Sequence, residues 1–215
     1  MKYLKEFATA ADYEAAKDGL ITPNVSLITE TMGVAYKPYD PYAGHEYVDL
    51  GLPSGTLWAT MNVGATGITD YGNYYQYGKG ADDYSVTSGQ SDYTGIEQPL
   101  AASADTATQV WGGSWHMPTL EQLNELTANT TYEWTIVNGV NGGKFTASNG
   151  NYIFIPAAGN WVGGSHEDEG SLGYVWSSSP RDSRYVFGLL LFSGGKGVYD
   201  DNYRTSGFSV RPVIG

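Results

Sequence analysis

Glycine interrupts this chain so often that it limits the length of any regular element. The sequence has 29 glycines among 215 residues, together with 18 tyrosines and 6 tryptophans. Glycine destabilises helix interiors and marks turns, whereas the large aromatic residues favour strands. We therefore expect many turns and short strands rather than a helical bundle, in one large domain or in one domain with a small module.

One helix has a clear start signal. Pro118 and Thr119 form a helix start, and Leu120, Leu123 and Leu126 follow as an apolar stripe. This pattern predicts a principal helix over residues 118–128.

Short strands are predicted on both sides of this helix. Their ranges are 24–30 with a hairpin partner at 34–38, then 47–50, 56–60, 133–137, 144–146, 152–156, 175–178, 186–192 and 208–213. Asn138-Gly139 and residues 141–143 are predicted as turns, and residues 199–203 as a polar, aromatic loop.

The first 44 residues form a separate small module in this interpretation. A short helix over 12–17 precedes the 24–38 hairpin, and a proline-rich connection (38–44) leads to a second domain over 45–215. We expect the 1–44 module to attach the domain to a larger assembly or to oligomerise it.

Composition restricts the partners and the chemistry. A net charge of −12 argues against nucleic-acid backbones and anionic membranes, although it also serves simple solubility. The absence of cysteine excludes disulfides, thiolate metal sites and a cysteine nucleophile. No apolar run approaches the ~20 residues of a membrane span, and the first residues lack a signal-peptide pattern, so we expect either no export by that route or a removed leader.

Arginine is confined to the C-terminal segment. Arg181, Arg184, Arg204 and Arg211 are the four arginines of the chain, and six of its seven lysines precede this segment. Two short motifs frame the region, WSSS at 176–179 and GFSVRPV at 207–213. Such an abrupt change of cation indicates that this stretch has a different history from the rest of the gene.

The two motifs carry a family resemblance. WSSS, an apolar strand with a Ser-Gly turn, an Asn/Asp/Tyr-rich stretch and GFSVRPV together resemble the variable region of proteins diversified by retroelements. Residues 47–65, 111–126 and 150–159 are similar to the Bacteroidetes paralogous-domain and formylglycine-generating branches of the C-type-lectin-like fold. The resemblance covers about 45–215. It implies an α+β fold, a C-type-lectin-like domain with short strands and one or two helices, preceded by the α/β-hairpin module.

The resemblance can be tested on codon usage. Retroelements of this class randomise adenines in AAY codons, which cannot produce Lys, Glu, Gln, Trp or Met. These five types supply 32 of the 215 residues, so about four are expected between Arg181 and Ser206. Lys196 alone occurs there, and it is either an unmutated position or a counterexample.

The resemblance implies a ligand-binding surface within a variable region at about 175–206. The candidate ligand-binding residues are Arg181, Ser183, Arg184, Val186, Gly188, Leu190, Phe192, Lys196, Tyr199, Asp200, Asp201, Asn202, Tyr203, Thr205 and Ser206. The expected ligand is a protein or glycan on a bacterial surface, and the expected carrier is a phage tail or a bacterial surface adhesin. The alternatives are a non-variable structural or adhesive surface domain of the same family and, less favoured, an enzyme.

Two of these segments also have an explanation that needs no ligand. If Leu189 and Leu191 face the core, Gly188, Leu190 and Phe192 face outward, although a strand buried on both faces fits equally well. The loop predicted at 199–203 has the aromatic and amide chemistry of antibody-like binding surfaces, or it is simply solvated.

Catalysis and metal binding have little support. His45, His116 and His166 are scattered, and the formylglycine-generating branch needs active-site cysteines that this chain lacks. We therefore expect no enzyme and no cofactor. The acidic run at 166–169 favours a solvated loop over a metal site, while Asp200-Asp201 and Asp82-Asp83 remain candidates for a structural cation. Arg211 is expected to brace the scaffold.

Overall fold

The computed structural model describes residues 25–30, 33–38, 40, 42–81, 95, 97, 98 and 100–215. The chain divides into two units, Met1–Pro41 and Tyr42–Gly215. In the first unit, strands β1 (Val25–Glu30) and β2 (Gly33–Pro38) pair antiparallel, which confirms the predicted hairpin. The helix predicted over 12–17 lies outside the described residues.

The described part of the second unit is mostly β-sheet. Its helices are α1 (Thr106–Val110) and α2 (Leu120–Asn129). Its strands are β3 (Tyr47–Asp49), β4 (Leu57–Ala59), β5 (Tyr75–Gln76), β6 (Thr130–Val137), β7 (Val140–Ala147), β8 (Tyr152–Pro156), β9 (Asn160–Val162), β10 (Ser165–Glu167), β11 (Leu172–Pro180), β12 (Tyr185–Phe192), β13 (Gly195–Tyr203), β14 (Gly207–Phe208) and β15 (Val213–Ile214). The expectation of short strands and few helices is confirmed.

These strands form small antiparallel sheets. The strand orders are β15-β4-β3, β6-β7-β8, β10-β9-β14-β5 and β11-β12-β13. Val213 of the last strand lies opposite Trp58 of β4, so the two ends of the unit share one sheet. A turn at Asn138 and Gly139 joins β6 to β7, and both residues have positive φ (49° and 82°), as a type I′ hairpin turn requires.

Helix α2 begins as the sequence predicts. The Thr119 side chain accepts a hydrogen bond from the Gln122 amide (3.2 Å), and the Gln122 side chain accepts one from the Thr119 amide (2.9 Å). This reciprocal pair satisfies two of the free amides at the helix start. Leu123 and Leu126 are buried, and Ser179 of the WSSS motif accepts a hydrogen bond from the Leu120 amide (3.0 Å).

Strand β11 separates two hydrophobic cores. Val175 packs in the first core with Leu189 and Leu191, while Trp176 packs in the second, because adjacent side chains of a strand point to opposite faces. The Trp176 ring stacks on Phe208 with ring centroids 4.0 Å apart, and its indole N–H donates to the carbonyl of Tyr75 (2.7 Å). The two framing motifs thus meet inside the protein.

Arg211 is fully buried and links three parts of the chain. Its guanidinium donates to the side chain of Asn62 (2.9 Å) and to the carbonyls of Ala59 (3.1 Å) and Phe154 (3.0 Å). Burial lowers the pKa of Arg211 to about 9, so the side chain remains charged at neutral pH. The expectation that Arg211 braces the scaffold agrees with these contacts.

Two local predictions are wrong. Residues 141–143 lie inside β7 rather than in a turn. Glycine at 142 allows this close pairing with β8, since a side chain there would lie 2.4 Å from the carbonyl oxygen of Ile155. The strand predicted over 208–213 is two short strands, because the intervening residues bond to the 59–63 segment, for example the Val63 amide to the Val210 carbonyl. Helix α1, whose start is capped by Asp105, was not predicted.

We expect Arg211→Leu to destabilise the protein by about 2–4 kcal/mol. The substitution removes the donors of three buried acceptors, and each unpaired acceptor costs about 1–3 kcal/mol, partly offset because a charge no longer needs to be buried. Urea denaturation measures the change. Arg184→Leu, at an exposed position, is the control and should stay within about 0.5 kcal/mol of the wild type. Equal stability of the two variants would contradict the bracing role.

Candidate functional site

The outer face of the β11-β12-β13 sheet, away from the first core, carries a cavity of about 430 Å³. Its walls come from the C-terminal strands and from β9. The lining residues are Asn160, Val162, Tyr174, Leu190, Tyr199, Asp201, Asn202, Tyr203, Ser206 and Phe208. A volume of this size is within the usual range for small-molecule or side-chain binding pockets.

Two glycines make room for side chains that line this cavity. Gly188 lies between Trp176 on β11 and Tyr199 on β13, and the Asn202 amide occupies the space where a side chain of residue 188 would lie. Gly197 lies opposite Leu190, and the Tyr199 ring lies over it. Larger residues at 188 and 197 would therefore displace Asn202 and Tyr199.

A bulge in β13 turns its polar residues toward the cavity. Val186 pairs with Asn202 and Gly188 with Tyr199, so β13 carries one residue more than β12 in this interval. The Asn202 amide donates to the carbonyls of Val186 (3.0 Å) and Tyr199 (2.9 Å). This side chain fixes the bulge by satisfying two backbone acceptors.

The rim beyond the bulge is a network of exposed polar side chains. The Tyr185 and Tyr203 rings lie 4.9 Å apart, and their hydroxyls are 3.3 Å apart. Arg181 approaches Asp200 at 3.5 Å. Hydrogen bonds from the amides of Arg184 and Tyr185 lower the pKa of Asp182, so this carboxylate stays ionised while it holds the β11–β12 turn.

Tyr174 and Asn160 form the deeper wall. Burial, followed by the charge and hydrogen bond of Asp168, raises the pKa of Tyr174 to about 12. Asn160 is only 7% exposed, and its side-chain oxygen accepts no hydrogen bond from the described residues. Leaving a buried amide oxygen without a donor costs free energy of folding. The Asn160 amide also makes this wall of the cavity polar.

The structure brings together part of the predicted site. Six of the predicted residues line the cavity: Leu190, Tyr199, Asp201, Asn202, Tyr203 and Ser206. Others lie outside it at exposed or half-buried positions: Arg181, Ser183, Arg184, Phe192, Lys196, Asp200 and Thr205. Residues 199–203 belong to β13 and not to a loop, because backbone pairing with β12 compensates for the lack of apolar alternation in that stretch.

Three predicted contacts need correction. Val186 is fully buried in the second core. Strand alternation places it on the same face as Leu190, but the second core covers that end of the face. Gly188 is buried beneath Asn202. Lys196 pairs with the buried Leu191 and so shares the inner face of the sheet.

Sequence reasoning missed the other four lining residues, Asn160, Val162, Tyr174 and Phe208. Asn160 and Val162 lie outside the predicted variable region. They come near it because Trp161 pairs with Gly207 in the β9–β14 contact and Gly159 bridges to Gly173 of β11. No local pattern signals these contacts. Tyr174 precedes the WSSS motif by two residues on the same strand, so strand alternation from the buried Val175 could have indicated it.

The histidines have structural contacts. His116 lies 2.9 Å from the Met117 carbonyl through Nδ1, and His166 lies 3.2 Å from Glu169. Among the described residues, no three histidine or acidic side chains converge as a metal site, and the Asp82-Asp83 candidate lies outside them. None of the described helices is long and apolar enough to cross a membrane.

Comparison with known proteins gives no relative for this chain. No family model matches it, and neither the curated proteins nor the solved structures provide a match. A functional interpretation therefore depends on the residues and geometry of the chain itself.

Substitutions should separate cavity residues from core residues of the same sheet. Leu190→Ala and Tyr199→Ala remove half-buried or exposed side chains, and we expect losses of no more than about 1 kcal/mol. Val186→Ala leaves a void in the second core and should cost about 2 kcal/mol. Urea denaturation of the three variants decides the matter, and a Val186→Ala variant as stable as Leu190→Ala would contradict the burial of Val186 in the second core.

Stability should fall in alkaline solution above pH 10. The pKa values of Tyr132 and Tyr174 are raised to about 12, mainly by burial, so the unfolded chain loses these protons first. The stabilisation is fully present below pH 10 and is lost as the pH rises toward 12. Denaturation series between pH 8 and 11.5 measure the slope, and Tyr174→Phe should make it shallower. An unchanged slope in that variant would contradict the shifted pKa of Tyr174.

Proposed function

We propose that this protein binds a ligand through the cavity on the outer face of the β11-β12-β13 sheet. The supporting observation is the separation of roles along the C-terminal segment. The framing motifs are buried, with Trp176 and Arg211 fully inside, while Tyr199 and Tyr203 are 45% and 52% exposed. Rigid, exposed tyrosines around a concave surface are typical of protein recognition sites.

The same separation supports diversification by a retroelement. A segment can vary freely only if its side chains leave the core unchanged. Leu190, Tyr199, Asp201 and Tyr203 meet this condition because they line the cavity. Lys196, the one residue in the stretch that adenine randomisation cannot produce, lies on the inner face opposite Leu191, which agrees with an unmutated position.

The scaffold in this proposal is C-type-lectin-like. The pairing of β4 with β15, the ten-residue helix α2 and the short antiparallel sheets support this assignment. The carrier would be a phage tail or a bacterial surface, with residues 1–44 attaching the domain to a larger assembly. The ligand would then be a molecule displayed on a bacterial surface.

Loss of the two exposed cavity tyrosines should abolish ligand capture. We expect wild-type protein to retain a ligand from surface extracts of candidate host bacteria, and a Tyr199→Ala/Tyr203→Ala variant to retain at least about tenfold less, since central aromatic residues dominate such interfaces. Pull-down followed by mass spectrometry measures the retained ligand.

A matched control is available elsewhere on the chain. Tyr47 and Tyr152 are 41% and 45% exposed but lie on other sheets, so a Tyr47→Ala/Tyr152→Ala variant should capture normally. Thermal melts verify that both variants fold. Equal capture by the cavity variant and the wild type would place recognition elsewhere and overturn the proposal. Sequencing codons 181–206 in natural populations tests diversification separately, because it predicts substitutions concentrated at outward-facing positions.

A further inference from the structure

The cavity presents only aromatic, apolar, neutral polar and acidic groups. Four of its lining residues carry aromatic rings: Tyr174, Tyr199, Tyr203 and Phe208. Asp201 supplies a carboxylate, and none of the lining residues is basic. The faces of aromatic rings attract cations, and they do so more strongly when the site is partly desolvated.

The charges around the deeper wall are also acidic. Asp168, Glu167 and Asp201 all act electrostatically on Tyr174. At the opposite rim both signs of charge are present, since Arg184 acts on Tyr203 and Tyr185 together with Asp201 and Asp182. Arg181 is held by Asp182 and Asp200. The charges that act on Tyr174 are all acidic, so a cation is favoured at the Tyr174 end of the cavity.

A buried acceptor at the same end lacks a donor. Asn160 lines the cavity, is more than nine-tenths buried, and receives no hydrogen bond at its side-chain oxygen from any described group. This oxygen is itself buried, so a ligand donor reaches it only when the side-chain amide turns toward the cavity. A ligand that supplies N–H donors would remove the cost of the unpaired acceptor.

We propose that the cavity binds an alkylammonium group, the lysine side chain of a protein displayed on the bacterial surface. This inference depends on the proposed ligand-binding function and specifies its ligand class. The four-carbon stem packs on Leu190 and the aromatic walls, while the ammonium donates to Asn160 and lies near Asp201 and the tyrosine faces. The net charge of −12 favours the approach of a basic ligand surface.

A small probe tests the ligand class on the full chain. Nα-acetyl-lysine amide is titrated into the ¹⁵N-labelled protein, and the backbone amide shifts of Asn160, Tyr174 and Tyr199 are followed. We expect saturable shifts confined to the cavity and at least tenfold weaker binding of Nα-acetyl-norleucine amide, which has nearly the same shape without the charge. Binding of the two probes with equal affinity, or no saturable shift with the lysine probe, would overturn the inference.

Matched variants locate the charge effect. Asp201→Asn should weaken binding of the lysine probe at least threefold at low salt, because it removes a carboxylate that lines the cavity. Glu133→Gln, an exposed carboxylate on the separate β6-β7-β8 sheet, should bind as the wild type does. Equal affinity of Asp201→Asn and the wild type would contradict the role of the acidic wall.

Two further outcomes are distinguishable. Saturable cavity shifts with methyl α-glucoside but not with the lysine probe would overturn the ammonium assignment and favour a glycan. Loss of the lysine effect together with tyrosine-dependent capture from bacterial extracts would overturn this inference alone. Capture that does not depend on Tyr199 and Tyr203 would overturn the proposed function itself.

Discussion

The buried guanidinium of Arg211 holds the second unit together at a point where no continuous sheet does. Its acceptors are the carbonyls of Ala59 and Phe154 and the side chain of Asn62. These belong to the end of β4, to the following turn and to β8, which lie in different sheets or outside any sheet. Burying a charge without a carboxylate partner is costly, so the three hydrogen bonds are needed to compensate for it.

Strand β11 connects the hydrophobic cores to the cavity. Its Val175 and Trp176 fix the strand from both faces, and Trp176 stacks on Phe208, which itself lines the cavity. The cavity wall is thus continuous with a core ring stack. Exposed side chains on this face, such as Tyr199 and Tyr203, are not members of that stack, so they can differ without removing one of its rings.

Local signals predicted those elements whose determinants lie within a few residues. The capping pair at Thr119 and Gln122 defines α2, and the Asn138-Gly139 turn defines the β6–β7 hairpin. Strand β13 and the split of residues 208–213 into β14 and β15 depend on partners far along the chain. A sequence pattern contains no direct record of those partners, so both were missed.

The candidate site follows the same division. Strand alternation offered the outer face for Leu190 and Phe192 as one of two interpretations, and Leu189 and Leu191 are buried. Val186 lies on the same face as Leu190 by alternation, but the second core covers it, and no local pattern shows that cover. Asn160 could not be found, because its proximity to the C-terminal strands depends on the long-range pairing of β9 with β14 and the bridge between Gly159 and Gly173.

Asn202 constrains the C-terminal segment from within. Its amide bridges the carbonyls of Val186 and Tyr199 and covers Gly188, so it shapes the surface on which its neighbours are displayed. A residue without a side-chain donor at this position would leave the carbonyls of Val186 and Tyr199 without this amide. Position 202 therefore acts on the shape of the cavity, while Leu190, Tyr199, Asp201 and Tyr203 supply the chemistry of its walls. Under the proposed diversification, a change at 202 would alter the geometry of the surface and not only its chemistry.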